Sequence, residues 1–235
     1  PVKNIFMIKP SRLGKLGIKN YLLISAIASV SMAVMLNTDV IIVKALFDEL
    51  QAGYFAAASI IGGVVFFVSM SINSVTFPKA VERHSRGKES PYTLKFGLLL
   101  TAIVAMIFII AYHLFPEHIS ELLFGREYKI SNLIGLFVIG KSLLALTNVI
   151  MIHDISMKKM RLLPVAAGGV IVQILLLMMF HESLRQVIAV MTIFNVLLLA
   201  ITVFITREDL KGIFKQKPQG YFYTPLKLPE PVEIK

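Results

Sequence analysis

Long apolar runs joined by short polar connections make up most of the chain. A run of about 20 residues with few charges predicts a helix that crosses a bilayer. Six such runs occur, at residues 21–47, 53–76, 93–114, 132–154, 163–181 and 186–206. The pattern therefore predicts an all-α integral membrane protein with six transmembrane helices, and an even number of spans places both termini on one side.

The segments outside these runs divide the chain into three parts. Residues 1–20 alternate basic and apolar side chains, which predicts a basic linker along the membrane interface. Residues 21–206 form the predicted six-helix transmembrane lobe. Residues 207–235 are basic and rich in proline, and predict a cytoplasmic tail that begins as an amphipathic piece and then becomes extended.

Two connections carry more specific signals. Pro78 is expected to end the second helix. The segment from Pro116 to Lys129 has Ile119, Leu122 and Leu123 at helical spacing, and so predicts a short interfacial helix.

Composition and charge agree with a membrane location. The chain is 56% hydrophobic with a mean hydropathy of +0.76, more apolar side chain than a soluble domain can bury. Of its 24 basic residues, 19 lie on one side of the predicted bundle, in connections or in the first turn of the third run. Because cytoplasmic loops collect Lys and Arg, both termini are expected in the cytoplasm and the chain in the cell (cytoplasmic) membrane as a multi-pass protein. Insertion and anionic membrane lipids account for the net charge of +10, so nucleic acid is not an expected partner.

Two opposite charges lie inside the apolar runs. Asp39 is about eight residues from the outer end of the first span, and Lys141 is about nine residues from the outer start of the fourth. At about 1.5 Å per residue both lie roughly 12–14 Å below the outer boundary, so a direct ion pair is geometrically allowed. Ionisable groups at this depth usually serve a pathway, a partner or an ion. Separate polar surroundings for each charge remain the alternative.

Three amides complete the candidate transport pathway. Gln173 and Asn195 fall near mid-depth in the fifth and sixth spans, where an amide either lines a pathway or joins helices. Asn37 shares a helix face with Lys44, whereas Asp39 lies about 200° further round. One straight helix therefore cannot direct Asn37, Lys44 and Asp39 into the same cavity.

Small residues cluster where helices would approach closely. Gly62 and Gly63 lie in the second span, and Gly168 and Gly169 in the fifth. Between membrane helices such residues allow backbones to pack together, so close contacts are expected at both places.

Two other chemistries fit less well. Gly135, Gly140, Lys141 and Ser142 match the G-x-x-x-x-G-K-S pattern of a phosphate-binding loop, but the segment is apolar and lies within the fourth span. Asp48 and Glu49 would suit a lipid-linked sugar transferase, but their loop is too short to hold a substrate. The chain has no cysteine and no histidine pair at metal-ligand spacing. An enzyme, a cofactor and a bound metal are therefore not expected.

Three stretches resemble the C-terminal half of polysaccharide (oligosaccharide) flippases in the multidrug/oligosaccharidyl-lipid/polysaccharide (MOP) exporter superfamily. They are Asn37-Thr-Asp39 followed by Ala52-Gly-Tyr-Phe-Ala-Ala57, then Phe77-Pro78, then Leu122-Leu-Phe-Gly-Arg-Glu-Tyr128. Their order and spacing extend the resemblance over about residues 15 to 205. The turn from His181 to Gln186 departs from the family, since it lacks the Gly-Ala-Ala often found between the last two spans.

The resemblance implies a transporter with two six-helix lobes around a central cavity, of which this chain would be the second. It also implies a substrate, a polyprenyl-diphosphate-linked oligosaccharide moved by alternating access, and a partner, an N-terminal six-helix lobe. In this interpretation Lys141 would attract the diphosphate or an acidic sugar. Asp39 would take up a coupling proton or sodium ion, or hold Lys141 in place. Drug or small-molecule cation antiport in the same superfamily, and a membrane subunit that transports nothing, are the alternatives.

Overall fold

The computed structural model describes residues 15–85, 91–125 and 131–215. Within these ranges the chain forms eight α-helices and no strand, which agrees with the predicted all-α class. The helices are α1 (Lys15–Leu46), α2 (Glu49–Ser85), α3 (Pro91–Leu114), α4 (Pro116–Phe124), α5 (Ser131–Ser156), α6 (Leu163–Met179), α7 (Leu184–Ile205) and α8 (Arg207–Lys215).

Five of the described helices are long and apolar enough to cross a membrane. They are α1, α2, α3, α5 and α7, and their length and composition indicate a membrane protein. The predicted fifth span corresponds to α6, which has 17 residues. At about 1.5 Å per residue it is shorter than the roughly 30 Å of a bilayer core.

Several boundaries differ from those predicted. Helix α1 begins at Lys15, inside the predicted linker, and residues 1–14 lie outside the described ranges. Helix α2 continues through Pro78 to Ser85, so the expectation that Pro78 ends this helix is wrong. A proline removes one backbone hydrogen bond, and a helix of 37 residues tolerates that loss because the bonds on either side remain. Of the predicted tail, residues 207–215 form α8, and residues 216–235 lie outside the description.

Helix α5 is the centre of the bundle, with α1, α2, α3, α4 and α7 packed against it. Its apolar residues are distributed around the whole helix, as expected for one surrounded by protein. Ile134, Val138 and Ala145 are fully buried. The short helix α4 confirms that a helix follows Pro116, and its location at the membrane interface stays a prediction.

The connections bring one set of basic residues to one end of the bundle. Helix α2 ends there and α3 begins there. The end of α5 lies beside them, since residues of α2, α3 and α5 together line one cavity, and the α5–α6 connection follows directly. The Tyr21 hydroxyl, near the start of α1, donates to the Ile155 carbonyl at 3.3 Å. We call this the basic end, after Lys79, Lys95, Lys158, Lys159 and Arg161.

Gly62 sets the distance between α2 and α5. A Cβ at this position would lie 3.0 Å from Phe137 Cβ and 3.2 Å from the Phe137 carbonyl carbon. The neighbouring Gly63 has room, since its nearest contact would be Phe67 at 3.6 Å. Gly169 in α6 likewise approaches Met35 and Leu198, whereas nothing lies within 4 Å of a Cβ at Gly168. Close packing is thus confirmed for one glycine of each pair.

Gly62→Ala is expected to destabilise the bundle by about 1–3 kcal/mol, because the added methyl group must displace the backbone of α5. Gly63→Ala is the matched control and is expected to leave stability unchanged or slightly raised. Both are measured by circular dichroism during unfolding of the detergent-solubilised protein in sodium dodecyl sulfate. Equal effects at the two positions would contradict the role given to Gly62.

Candidate functional site

Asp39 and Lys141 form a buried ion pair between α1 and α5. Lys141 Nζ lies 2.8 Å from Asp39 Oδ2. The side chain of Lys141 is only 4% exposed, and that of Asp39 only 1%. Of the two arrangements that the sequence left open, the structure shows the direct ion pair. It joins residues that are 102 positions apart in the chain.

Further hydrogen bonds complete the surroundings of this pair. Lys141 Nζ also donates to the Leu36 carbonyl at 2.6 Å, and its ammonium lies 6.0 Å from the centre of the Phe137 ring. The backbone N–H of Val40 donates to Asp39 Oδ1 at 3.0 Å. Each carboxylate oxygen thus has a donor, and a satisfied pair of this kind fixes the register of α1 on α5.

The two mid-depth amides connect helices within the bundle. Gln173 Nε2 in α6 donates to the Met35 carbonyl at 3.0 Å, and Asn195 Nδ2 in α7 donates to the Gly140 carbonyl at 3.1 Å. Both side chains are buried. Their geometry corresponds to the helix-joining alternative for such amides.

Asn37 is separated from the other four candidates. It lies on the exposed side of α1, and its Nδ2 donates to the Ala33 carbonyl of its own helix at 2.8 Å. Lys44 is exposed as well, whereas Asp39 is buried. The expectation that Asn37 and Lys44 face a different direction from Asp39 is confirmed.

A small cavity of about 10 Å³ lies beside the ion pair. Its lining includes Asp39, Lys141 and Asn195, together with Phe137, Gly140, Ile188, Met191 and Thr192. That volume is close to the minimum that holds one water molecule. Three of the five candidates therefore meet at one place, but the space between them admits nothing the size of a sugar or a drug.

The segment with the phosphate-loop pattern is helical throughout. Gly135, Gly140, Lys141 and Ser142 all lie inside α5, and Lys141 is bound to Asp39. A phosphate loop needs a turn between a strand and a helix, with free amide groups that point at the phosphate. The geometry of α5 therefore does not support nucleotide binding at this motif.

A second charged cluster at the basic end has no counterpart in the sequence predictions. Asp154, at the end of α5, is buried and accepts three hydrogen bonds from Arg161: from the backbone N–H at 2.7 Å, from Nη2 at 2.8 Å and from Nε at 3.0 Å. The backbone N–H of Leu162 adds a longer contact of 3.4 Å. This carboxylate holds the α5–α6 connection, in which Lys158 and Met160 have the unusual φ values of 54° and 53°.

Asp209 links α8 to the same connection. Its carboxylate accepts hydrogen bonds from Lys159 and Arg161. Burial acts to raise the pKa of Asp209, but the hydrogen bonds and positive charges of Lys159 and Arg161 outweigh it and hold the pKa below its ordinary value. For Arg161, burial acts to lower the pKa, and the hydrogen bonds and charges of Asp209 and Asp154 raise it above the usual value. Asp209 and Arg161 thus stabilise each other in their charged forms.

This arrangement predicts an acid-sensitive attachment of α8. A carboxylate whose pKa is depressed in the folded state stabilises that state above its unfolded pKa of about 3.9, and the contribution is lost as pH falls through the folded value. A spin label on Lys211→Cys, a unique thiol in this cysteine-free chain, is expected to be immobile near neutral pH. It is expected to become mobile only as the pH falls well below the ordinary aspartate pKa of about 3.9.

The matched control is Asp209→Asn carrying the same label. Without the carboxylate, the label is expected to be mobile at every pH tested. A label that stays immobile in Asp209→Asn would show that apolar contacts alone hold α8.

The chain was also compared with known proteins. No protein-family model, no curated protein and no solved structure matches it.

Proposed function

We propose that the chain is one lobe of a transporter that moves a polyprenyl-diphosphate-linked oligosaccharide across the cell membrane by alternating access. The observation that carries the proposal is a stripe of small and polar residues on the exposed side of α1, which we call the α1 stripe. It consists of Ala26, Ser29, Ala33, Asn37 and Lys44, and it begins one turn after Leu22, a large exposed apolar residue on the same face. At 100° per residue these positions fall within about 80° of one another.

The exposed surfaces of α3, α6 and α7 contrast with this stripe. The middle turns of α3, α6 and α7 expose large apolar residues, such as Ile103, Ile107, Leu175, Leu197 and Ile201. Such faces suit lipid tails. An amide on a lipid-facing surface at the depth of Asn37 carries a high energetic cost, and intramembrane polar residues usually face a water-filled cavity or other helices. Lys44 is nearer the outer end of α1, where its ammonium could also reach the interface.

The stripe is therefore assigned to the transport pathway, facing a second six-helix lobe across a wet cavity. Lys44 supplies an exposed cation there, suited to a diphosphate. Lys141 is buried and bound to Asp39, and we assign this pair the task of holding α1 against α5 so that the stripe faces the pathway. Gln173 and Asn195 support the same helices from inside the lobe.

We further propose that α6 is a sixth span and that the basic end is cytoplasmic. In support, the middle of α6 lies at the level of the middle of α1, since Gln173 and Gly169 both contact Met35. Gly169 also faces Leu198, so α6 runs in register beside α7. A six-span lobe with the basic end in the cytoplasm follows the rule that cytoplasmic loops are rich in Lys and Arg.

The proposal is tested with the full-length protein, including any further lobe that its coding region specifies, in lipid vesicles. The probe is a fluorescent polyprenyl-diphosphate-linked oligosaccharide, and its appearance on the far leaflet is detected with a non-permeant sugar-cleaving enzyme. We expect Asn37→Leu with Lys44→Met to reduce the initial rate by roughly tenfold, the equivalent of about 1.4 kcal/mol.

Val34→Leu on the lipid-facing side of α1 is the matched control, with an expected rate equal to that of the parent. Export of organic cations with no movement of the labelled lipid would favour the antiport alternative. No transport of either kind by folded protein would leave the membrane-subunit alternative.

A further inference from the structure

Two buried polar side chains between α2 and α3 have no hydrogen-bond partner among the described residues. Asn73 in α2 is 5% exposed, and neither its Nδ2 nor its Oδ1 has a partner. Thr101 in α3 is fully buried, and its Oγ1 also lacks one. Buried polar groups in folded proteins are almost always hydrogen-bonded, to protein or to ordered water.

Helix register places these two side chains at the same height. A Cβ on Gly97 of α3 would lie 3.9 Å from the side chain of Thr76 in α2 and 3.2 Å from Val149 in α5. Because α2 runs towards the basic end and α3 runs away from it, Asn73 and Thr101 each lie one turn from this contact in the same direction. They are also each six residues from a flanking lysine, Lys79 and Lys95, which corresponds to about 9 Å of helix.

Helix α5 presents a small side chain at this height. One turn from Val149 in the same direction is Ala145, a small and fully buried side chain. Three helices therefore surround a region that has two unpartnered polar groups and only a methyl group on its third side.

A cavity of about 10 Å³ continues this region towards the basic end. Thr76, Thr93, His153 and Ser156 give it polar walls, and apolar residues, Phe77, Ala80, Leu94, Val149 and Ile152, complete the lining. Its volume is close to that needed for one water molecule. Thr76 contributes to this cavity and lies one turn from Asn73, so the two polar regions are neighbours in one three-helix interface.

We propose that the interface of α2, α3 and α5 is an internal water-binding site that fills from the basic end and reaches Asn73 and Thr101. Water fits because it accepts from Asn73 Nδ2 and donates to Asn73 Oδ1 and Thr101 Oγ1. A cation would leave Nδ2 without an acceptor, and no carboxylate lines the adjacent cavity. An apolar occupant would satisfy none of the three atoms.

The other half of the α2–α5 interface offers no such space. Gly62 touches Phe137 there, and Phe55 and Ile61 are fully buried. The rings of Phe55 and Phe137 pack edge to face with their centres 4.8 Å apart. The inference therefore predicts one hydrated half and one dry half along the same pair of helices.

The test uses the absence of cysteine from the chain. Asn73→Cys and Thr101→Cys each create a unique thiol, and the full chain in nanodiscs is treated with silver ion or a small cationic methanethiosulfonate. Both thiols are expected to react at least about tenfold faster than the controls, because a thiol ionises and reacts where water reaches it. The controls are Ala105→Cys, one turn beyond Thr101 on the same face of α3, and Ala58→Cys in the dry half of α2.

Equal reaction rates at all four positions would overturn the proposal, whether all are fast or all are slow. Circular dichroism and size-exclusion chromatography establish that each variant is folded. Hydroxyl-radical labelling of the unmodified protein provides a measurement independent of any substitution. It is expected to label Leu94 and Val149 more than Phe55 and Ile61, and the reverse order would also refute the inference.

Discussion

Replacing Lys141 with methionine is expected to destabilise the folded protein by about 3–5 kcal/mol, the range observed when one partner of a buried ion pair is removed. The change leaves Asp39 in place at 1% exposure, without its cation. It also removes the donor to the Leu36 carbonyl. The free energy of unfolding is measured in mixed micelles by circular dichroism, since the chain has no tryptophan to report by fluorescence.

The matched control for this prediction is Lys44→Met. Lys44 also lies within an apolar run, and it is exposed on the surface of α1. Its replacement is expected to change stability by less than about 0.5 kcal/mol. A similar loss at both positions would mean that the Asp39–Lys141 pair contributes nothing specific to the fold.

The double variant Asp39→Leu with Lys141→Met separates an anchoring role from a titrating one. Because both charges are removed together, most of the stability lost in Lys141→Met is expected to return. If Asp39 only anchors Lys141, the double variant also transports in the vesicle assay. If Asp39 takes up a coupling ion, the double variant is folded and inactive.

Replacing Asp154 with alanine is expected to cost about 2–3 kcal/mol, because buried donors lose their acceptor. The backbone N–H groups of Arg161 and Leu162 both point at this carboxylate, and Leu162 is itself buried. The Arg161 guanidinium is about one-third exposed and regains water, so it adds less to the loss. Thermal unfolding in detergent measures the change.

Two further variants serve as a control and an intermediate case for this prediction. Glu208→Ala removes a carboxylate of α8 that is 69% exposed, and is expected to change stability by less than about 1 kcal/mol. Asp154→Asn keeps one acceptor oxygen and is expected to fall between the parent and Asp154→Ala. If Glu208→Ala were as destabilising as Asp154→Ala, the connection after α5 would not depend on the buried carboxylate.

Hydropathy alone determined the helical class and the approximate limits of the membrane helices. Hydropathy succeeds here because about twenty consecutive apolar residues in lipid must satisfy their backbone hydrogen bonds internally. A helix does so whatever the neighbouring segments are. The depth of a residue also follows from its position in a run. Two matching depths and opposite charges therefore showed that a direct Asp39–Lys141 pair was allowed, and the structure decided between that pair and separate surroundings.

Depth does not specify what a side chain faces. Asn37, Gln173 and Asn195 lie at comparable positions within their runs, yet Asn37 is exposed and the two others bind carbonyls of neighbouring helices. Rotation and register decide this difference. The rotation and register of a helix are set by close contacts such as that of Gly62 with Phe137. Only one glycine of each Gly-Gly pair makes such a contact.

The charged cluster at the basic end could be identified only from the tertiary structure. Asp209 is 48 residues from Arg161 and 50 from Lys159, in a segment whose sequence predicts only an amphipathic piece. The unpartnered atoms of Asn73 and Thr101 are likewise invisible in the sequence, where both residues look like ordinary polar positions in apolar helices. The sequence by itself thus determined the helical class and most of the segments that are long and apolar enough to span a membrane. Only the tertiary structure decided which polar groups meet, because those contacts depend on how the helices rotate and pack against α5.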